Sequence, residues 1–343
     1  MRAMFLHGPK DLRLGEMPKP VPGPGEALVR VKTVGICGSD QHNYLFGEIG
    51  GVFLKEPLVI GHEVSGVVEA LGPGVEGPAV GTPVAVDPSI SCGHCQYCLE
   101  GYPNLCPQNR FFGGPPVHGG LCEYLTHPAE LLFPLPAGMS YDEGALLEPM
   151  GVALYVAGLA DVRLGDRVAV LGCGPIGLMT IQMLRLSGAV EILATDVVPE
   201  RLQAAQRLGA DWVCHAGEQD AVRAIKEHTG GRGVDVVIEA AGVLETVPQA
   251  VEAVRPGGTV VIVGIPPEDR ISFVVSTARR KGLTIKFDRR MAHTYPRSID
   301  LVASGRVNIR PLATHHFPLE RTAEAIELVL ARRDGVLKAM IEV

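Results

Sequence analysis

RVAVLGCGPIGL, residues 167–178, decides how the middle of this chain folds. A short β-type run ends at Gly172, and Gly172, Gly174 and Gly177 stand in G-x-G-x-x-G spacing. An apolar segment with helical period, PIGLMTIQMLRLSG, follows at once. Between a strand and a helix that glycine spacing has a physical meaning. It permits a tight turn and close backbone approach, and it presents the helix N-terminus, with its amide hydrogens and positive dipole end, to a pyrophosphate. The backbone of Gly172, Gly174, Pro175, Ile176 and Gly177 is therefore expected to cradle a dinucleotide. The next strand, EILATD, ends at Asp196, 19 residues beyond Gly177. A carboxylate there accepts hydrogen bonds from the adenosine ribose hydroxyls and repels a 2′-phosphate, so NAD is expected over NADP. Arg201, just beyond, is either an adenosine contact or a solvated side chain.

Outward from this turn, PERLQAAQRLGA, VDVVIEAAG, TVPQAVEAVRPGG and TVVIVGI continue the alternation of helical and strand-like runs, the pattern of a parallel sheet covered on both faces. Upstream of about residue 150 the texture is different. Gly and Pro are frequent and short β-branched runs recur, ALVRVKTVGI, VSGVVEAL and TPVAV, which reads as an irregular, mostly β domain. After residue 290, SIDLVASG and RTAEAIELVLARR read as helices and KAMIEV as a terminal strand. A chain of 343 residues exceeds what one core usually organises, so two domains are expected.

Composition excludes several classes. Hydrophobic content of 46% with 20% charged residues is far from the disordered regime, and the net charge of −7 with scattered Lys and Arg leaves no nucleic-acid footprint. The clusters Arg279-Arg280-Lys281 and Arg289-Arg290 read as solvated surface. The opening MRAMFLHGPKDLRLGE holds an apolar run too short for a signal peptide, and no window is expected to reach bilayer length, so the reading is cytoplasmic, with no membrane partner.

In a reducing compartment, SCGHCQYCLEGYPNLC at 91–106 reads as a metal site before it reads as disulfides. Cys92, Cys95, Cys98 and Cys106 run C-x₂-C-x₂-C-x₇-C, enough thiolates to close a tetrahedral zinc shell that holds structure and leaves no position for substrate. An iron–sulfur cluster competes, but the bacterial ferredoxin run has three residues before its last cysteine where this chain has seven. His94 is expected to be a solvent-facing loop residue. Cys122, Cys173 and Cys214 are expected to be core thiols, and His315 and His316 ordinary residues at a strand end.

Three further pieces carry metal chemistry: GICGSDQH at 35–42, GHEVSG at 61–66 and LLEPM at 146–150. They offer Cys37, His62, Glu63 and Glu148. A thiolate, an imidazole and a carboxylate leave a fourth position open, which is the catalytic zinc arrangement. Singly each residue has a plain structural reading, and spacing alone does not join them.

The signature G-H-E-x₂-G-x₅-G at Gly61, His62, Glu63, Gly66 and Gly72, C-G-S-D-x-H at Cys37 to His42, the four-cysteine lobe and the G-x-G-P-I-G-L turn resemble the zinc-containing medium-chain dehydrogenase/reductase superfamily, in order and along essentially the whole chain. HGPKDLRL, VGICGSD, FGEIG and GALLEPMGV resemble its sorbitol (polyol) dehydrogenase branch. Glu148 stands where many alcohol dehydrogenases have a third-ligand cysteine.

The resemblance implies an α/β protein with a GroES-like, mostly β catalytic domain over 1–153 carrying a structural zinc lobe at about 90–110. A Rossmann doubly wound NAD-binding domain would follow over 154–289, with a return to the first domain over 290–343. It implies two zinc ions per chain: a structural one on the four cysteines and a catalytic one on Cys37, His62 and Glu63, with Glu148 close by or moving in as a ligand. Ser39 and His42 take the proton-relay positions. Phe46, Phe112, Arg290 and Met291 are candidate substrate contacts, and the TVVIVGI strand with the segment after it is the expected seam of a homodimer or homotetramer.

The expected reaction takes hydride from a secondary alcohol, a polyol of the sorbitol or xylitol kind, to NAD and yields the ketone. Threonine, 2,3-butanediol or an aldose is the alternative substrate. An inactive nucleotide-binding sensor is the alternative outside enzymes, disfavoured by the intact ligand and relay set. Phe46 stands where relatives often carry tyrosine, Glu48 replaces a basic residue and Met291 stands where tyrosine is common. Two phenolic hydroxyls are thereby lost. Leaving a buried substrate hydroxyl unpaired costs about 1–3 kcal/mol, so a less hydroxylated diol or another sugar alcohol also enters the reading.

Overall fold

The structure is a computed structural model and describes residues 1–49, 51–268 and 270–343. The first part of the chain contributes β1 (Glu26–Gly35), α1 (Gly38–Phe46), β2 (Glu63–Leu71), β3 (Pro83–Val86), β4 (Tyr124–Pro128) and β5 (Leu132–Pro134). The middle contributes α2 (Tyr141–Ala160), β6 (Arg167–Leu171), α3 (Pro175–Leu186), β7 (Glu191–Asp196), β8 (Trp212–His215), β9 (Val234–Glu239), β10 (Val254–Ile262) and β11 (Thr284–Phe287). The last part contributes α4 (Tyr295–Ala303), β12 (Ala313–Pro318) and β13 (Lys338–Glu342). Two compact units result: Met1–Glu148 with Ala292–Val343, and Pro149–Met291. Their boundaries fall at 148/149 and 291/292, against expected boundaries at 153/154 and 289/290.

In the first unit the strand order is β5-β3-β2-β1-β13-β12, and β4 also pairs with β1. β1 lies antiparallel to β2 along almost its whole length, while its other edge is shared: β4 takes Glu26 to Arg30 and β13 takes Thr33 to Gly35. The last strand of the chain therefore lies beside the end of β1, two residues before Cys37. Alternating β-branched residues fill the sheet's core side, Val29, Val31, Val64, Val68, Val84 and Val86 all being buried.

The second unit is a six-stranded parallel sheet in the order β8-β7-β6-β9-β10-β11. The chain winds outward from β6 in one direction and returns through β9 in the other, so the crevice for a ligand lies at the carboxyl ends of these two strands, where the glycine turn begins. Val168 to Leu171 and Val234 to Glu239 are continuously buried, as strands covered on both faces must be. One expectation shifts: the segment VRPGG, read as a helix end and turn, already belongs to β10. The pairing with β9 jumps from Val234↔Val254 to Val236↔Thr259, a bulge that absorbs Pro256, Gly257 and Gly258.

A second expectation is corrected. α2 is a 20-residue helix with a mean hydropathy of 1.2, long and apolar enough by length and composition to cross a membrane. Of that stretch 72% is buried, with Leu146, Leu147, Met150, Ala153 and Val156 at 0% exposure, which accounts for its apolarity as core. Its start is set by a capping box: the Ser140 amide donates to Glu143 Oε2 at 2.9 Å and the Glu143 amide donates to Ser140 Oγ at 3.2 Å.

Candidate functional site

Cys37 is the N-cap of α1, in extended backbone, and its amide donates to Asp40 Oδ2 at 2.9 Å. The other oxygen, Asp40 Oδ1, accepts the Gly61 amide at 3.0 Å. One fully buried carboxylate thus ties the turn before α1 to the loop before β2 and brings Cys37 to His62 and Glu63. Burial raises the Asp40 pKa, while His62, 3.8 Å away, and the two amides lower it. Asp40 was not singled out from sequence, although its place as the third residue of a helix start was a signal.

Cys37 Sγ, a ring nitrogen of His62 and a carboxylate oxygen of Glu63 lie within 4.8 Å of one another. His62 is 5% exposed and Glu63 0%. Burial, and after it the charge of Glu63, push the Cys37 thiol up to about 12. Glu63 Oε1 accepts the Lys338 ammonium at 2.6 Å, while buried Oε2 has no hydrogen-bond partner. An orphaned buried carboxylate oxygen is costly, and a cation recovers that cost. A thiolate, imidazole and carboxylate also suit zinc, so the residues fit the metal. Glu148 stands outside the 4.8 Å set but close by: burial first, then Glu63 and Cys37, raise its carboxyl to about 8, against the lowering effect of His62.

Ser39 lies in the first turn of α1, close enough to Cys37 for its hydroxyl to lower the thiol that burial raises. His42 follows three residues later on the same helix face. Its Nδ1 is buried without a hydrogen-bond partner, and its ring lies 5.0 Å from that of Phe46, which is 49% exposed. Phe112 is one of the expected substrate contacts. It is 4% exposed in the core, edge-on to His127 at 5.2 Å, and the ring beside His62, at 5.1 Å, belongs to Phe111.

Cys92, Cys95, Cys98 and Cys106 form a second group with all four sulfurs within 4.8 Å of one another. The Cys95 amide donates to Cys92 Sγ at 3.3 Å and the Cys92 amide to Cys106 Sγ at 3.4 Å. Amide hydrogens, that of His94 foremost, lower the Cys92 thiol to about 6, the thiolate state that a metal needs. His94 stays outside the group, its Nδ1 2.7 Å from the Cys92 carbonyl on the exposed side. Cys122, Cys173 and Cys214 are buried. His316 Nε2 meets Asp142 at 2.8 Å, an exposed pair.

In the second unit, Gly172 has φ 99°, and a Cβ there would lie 2.6 Å from the Ala241 nitrogen; at Gly177 it would lie 2.0 Å from the Gly172 carbonyl oxygen. Gly174 is different. It is extended, with φ −68°, and a Cβ there meets nothing within 4 Å, so the open space before α3 is what the glycine preserves. α3 has no side-chain cap and Pro175 in its first turn, which leaves early amides such as those of Ile176 and Gly177 to an anion. These features fit a dinucleotide pyrophosphate. Asp196, 8% exposed, closes the turn: Oδ2 accepts the Cys173 amide at 2.7 Å and Oδ1 the Val198 amide at 2.9 Å. Arg201 lies in the helix Pro199–Arg207, close enough for its charge to lower the Cys173 thiol that burial raises. Arg290 has φ 58°, and Met291 is 5% exposed.

Residues 23–137 match the alcohol dehydrogenase GroES-like domain, and residues 175–304 the zinc-binding dehydrogenase family. The chain is 38% identical to a sorbitol dehydrogenase of Bacillus subtilis over 341 residues, 99% of this chain and 97% of that one. Its structure superposes on an oxidoreductase/dehydrogenase of unknown specificity from Escherichia coli with a TM-score of 0.94 at 36% identity, covering 99% and 98% of the two chains. It superposes on 2R,3R-butanediol dehydrogenase from Bacillus subtilis with a TM-score of 0.89 at 35% identity, covering 100% and 99%. The chain belongs to the zinc-containing medium-chain dehydrogenase/reductase superfamily, within its sorbitol dehydrogenase-like branch.

Proposed function

We propose that this chain oxidises a secondary hydroxyl of a sugar alcohol of the sorbitol or xylitol kind to a ketone, with NAD as acceptor. The observation that carries the reading is the buried convergence of Cys37, His62 and Glu63, with Glu148 beside them, in a chain that also has the glycine turn and Asp196. Zinc held by Cys37, His62 and Glu63 supplies Lewis acidity toward an alcohol oxygen, and NAD supplies the hydride acceptor. Ser39 takes up the hydroxyl proton and passes it to His42 and on to solvent; their i, i+3 spacing on α1 supports the relay. The four cysteines hold a second, structural zinc.

Asp196 accepts the adenosine ribose hydroxyls with the lone pairs its two amide partners leave free, which favours NAD over NADP. We assign the protein to the cytoplasm as a homodimer or homotetramer. Metal-site cysteine usage supports the first, and the edge strand β11, with Phe287 63% exposed, supports the second.

A second reading, oxidation of a smaller diol such as 2,3-butanediol, is favoured by Phe46, which has no hydroxyl to pair with a polyol. Initial rates of NAD and NADP reduction with sorbitol, xylitol, ribitol, 2,3-butanediol, threonine and 2-propanol at mildly alkaline pH separate the two. The polyol reading requires a sugar alcohol with NAD to be fastest, and a clear preference for 2,3-butanediol would replace it.

A further inference from the structure

Lys338 sits where a lysine is rarely found. It is the first residue of β13, 3% exposed, and its ammonium donates to the Ile36 carbonyl at 3.0 Å and to Glu63 Oε1 at 2.6 Å. Ile36 directly precedes Cys37, and Glu63 lies 275 residues away in sequence. On the other side of the same carboxylate, a Cβ on Gly35 would fall 2.1 Å from Glu63 Oε2. The carboxylate is thus clamped between an ammonium and a stretch of bare backbone, one oxygen committed to Lys338 and the other without a hydrogen-bond partner. A buried pair of this kind is weak evidence for stability, because desolvation consumes most of the Coulombic gain. Its consequence lies in what it does to Glu63.

We infer that Lys338 is a positioning residue of the Cys37–His62–Glu63 centre: it fixes which oxygen Glu63 turns toward a metal and, by offsetting the carboxylate's charge, keeps the bond between Glu63 and the metal weak enough to exchange. This rests on reading that trio as a metal centre. The sign follows from charge. An ammonium in contact with a ligand carboxylate opposes a cation arriving at the same group, and in a buried site such an interaction is worth tenfold or more in binding.

The test is zinc affinity, measured on the full-length protein with the four-cysteine site filled, by competition with a chromophoric chelator. Lys338→Met is expected to bind zinc at the centre at least about tenfold more tightly than the native chain, whereas Lys338→Arg, which keeps the charge, stays within about threefold. Were Lys338 merely structural, its loss would weaken the metal instead. In a Glu63→Gln background the gain from Lys338→Met should largely vanish, and a gain as large as in the native background would show that Lys338 does not act through Glu63. Should Lys338→Met fail to fold, Lys338→Gln makes the same comparison by the same criteria. Unchanged or weaker binding in the uncharged variant overturns the inference alone. A native chain that takes up zinc only at the four cysteines overturns the metal-centre reading together with it.

Discussion

Gly35→Ala is a one-methyl probe of the metal centre. The added carbon would stand 2.1 Å from Glu63 Oε2, and ordinary contact requires it or the carboxylate to retreat by roughly 1 to 1.5 Å. The backbone at Gly35 is not in the left-handed region, so alanine itself is accommodated and the strain falls on Glu63. The carboxylate cannot move that far and keep its 2.6 Å bond to Lys338. Moving a ligand off the position its surroundings fix costs roughly ten- to hundredfold in metal affinity. The assay is zinc content after dialysis against a chelator, with circular dichroism to verify the fold. One zinc should remain, on the four cysteines, and turnover should fall with the loss of the other. A Gly35→Ala chain that kept two zincs and native turnover would show that Glu63 does not sit where this geometry puts it.

Further outcomes follow from other parts of the molecule. Asp196→Ala removes both amide acceptors of the glycine turn, so kcat/KM for NAD should drop about tenfold or more while that for NADP changes less; an unchanged ratio counts against Asp196 as the selector. Cys106→Ser should release the zinc of the lobe and lower the thermal midpoint while leaving the centre's zinc bound, and simultaneous loss of both metals would argue against two independent sites. His127 is buried and its Nε2 lies 2.7 Å from the Asp87 carbonyl; burial lowers its pKa from 6.5 to about 4. Its neutral form therefore stabilises the fold fully above pH 6.5, and up to about 3 kcal/mol is lost as pH falls toward 4; denaturation of His127→Gln should show a shallower slope across that window.

The parts legible in the sequence are those whose physics is local. The glycine turn could be read because strand, turn and helix are consecutive, and the four-cysteine lobe because all its ligands fall within fifteen residues, 92 to 106. Cys37, His62, Glu63 and Glu148 were joined only by resemblance, since the sheet register that brings them together is not written in any one segment. Lys338 had no signal at all: KAMIEV reads as a terminal strand, and its pairing of Met340 with Gly35 is what carries the ammonium to Glu63. The bulge at Pro256 stayed hidden because irregular backbone has no period to say which side chain faces inward.

The most direct measurement is zinc content and NAD-linked sorbitol oxidation on the same samples of native chain and Cys37→Ser. The account predicts two zincs per native chain and sorbitol-dependent NAD reduction, with Cys37→Ser retaining one zinc and losing the activity. A Cys37→Ser chain that keeps both zincs and the native rate would contradict it.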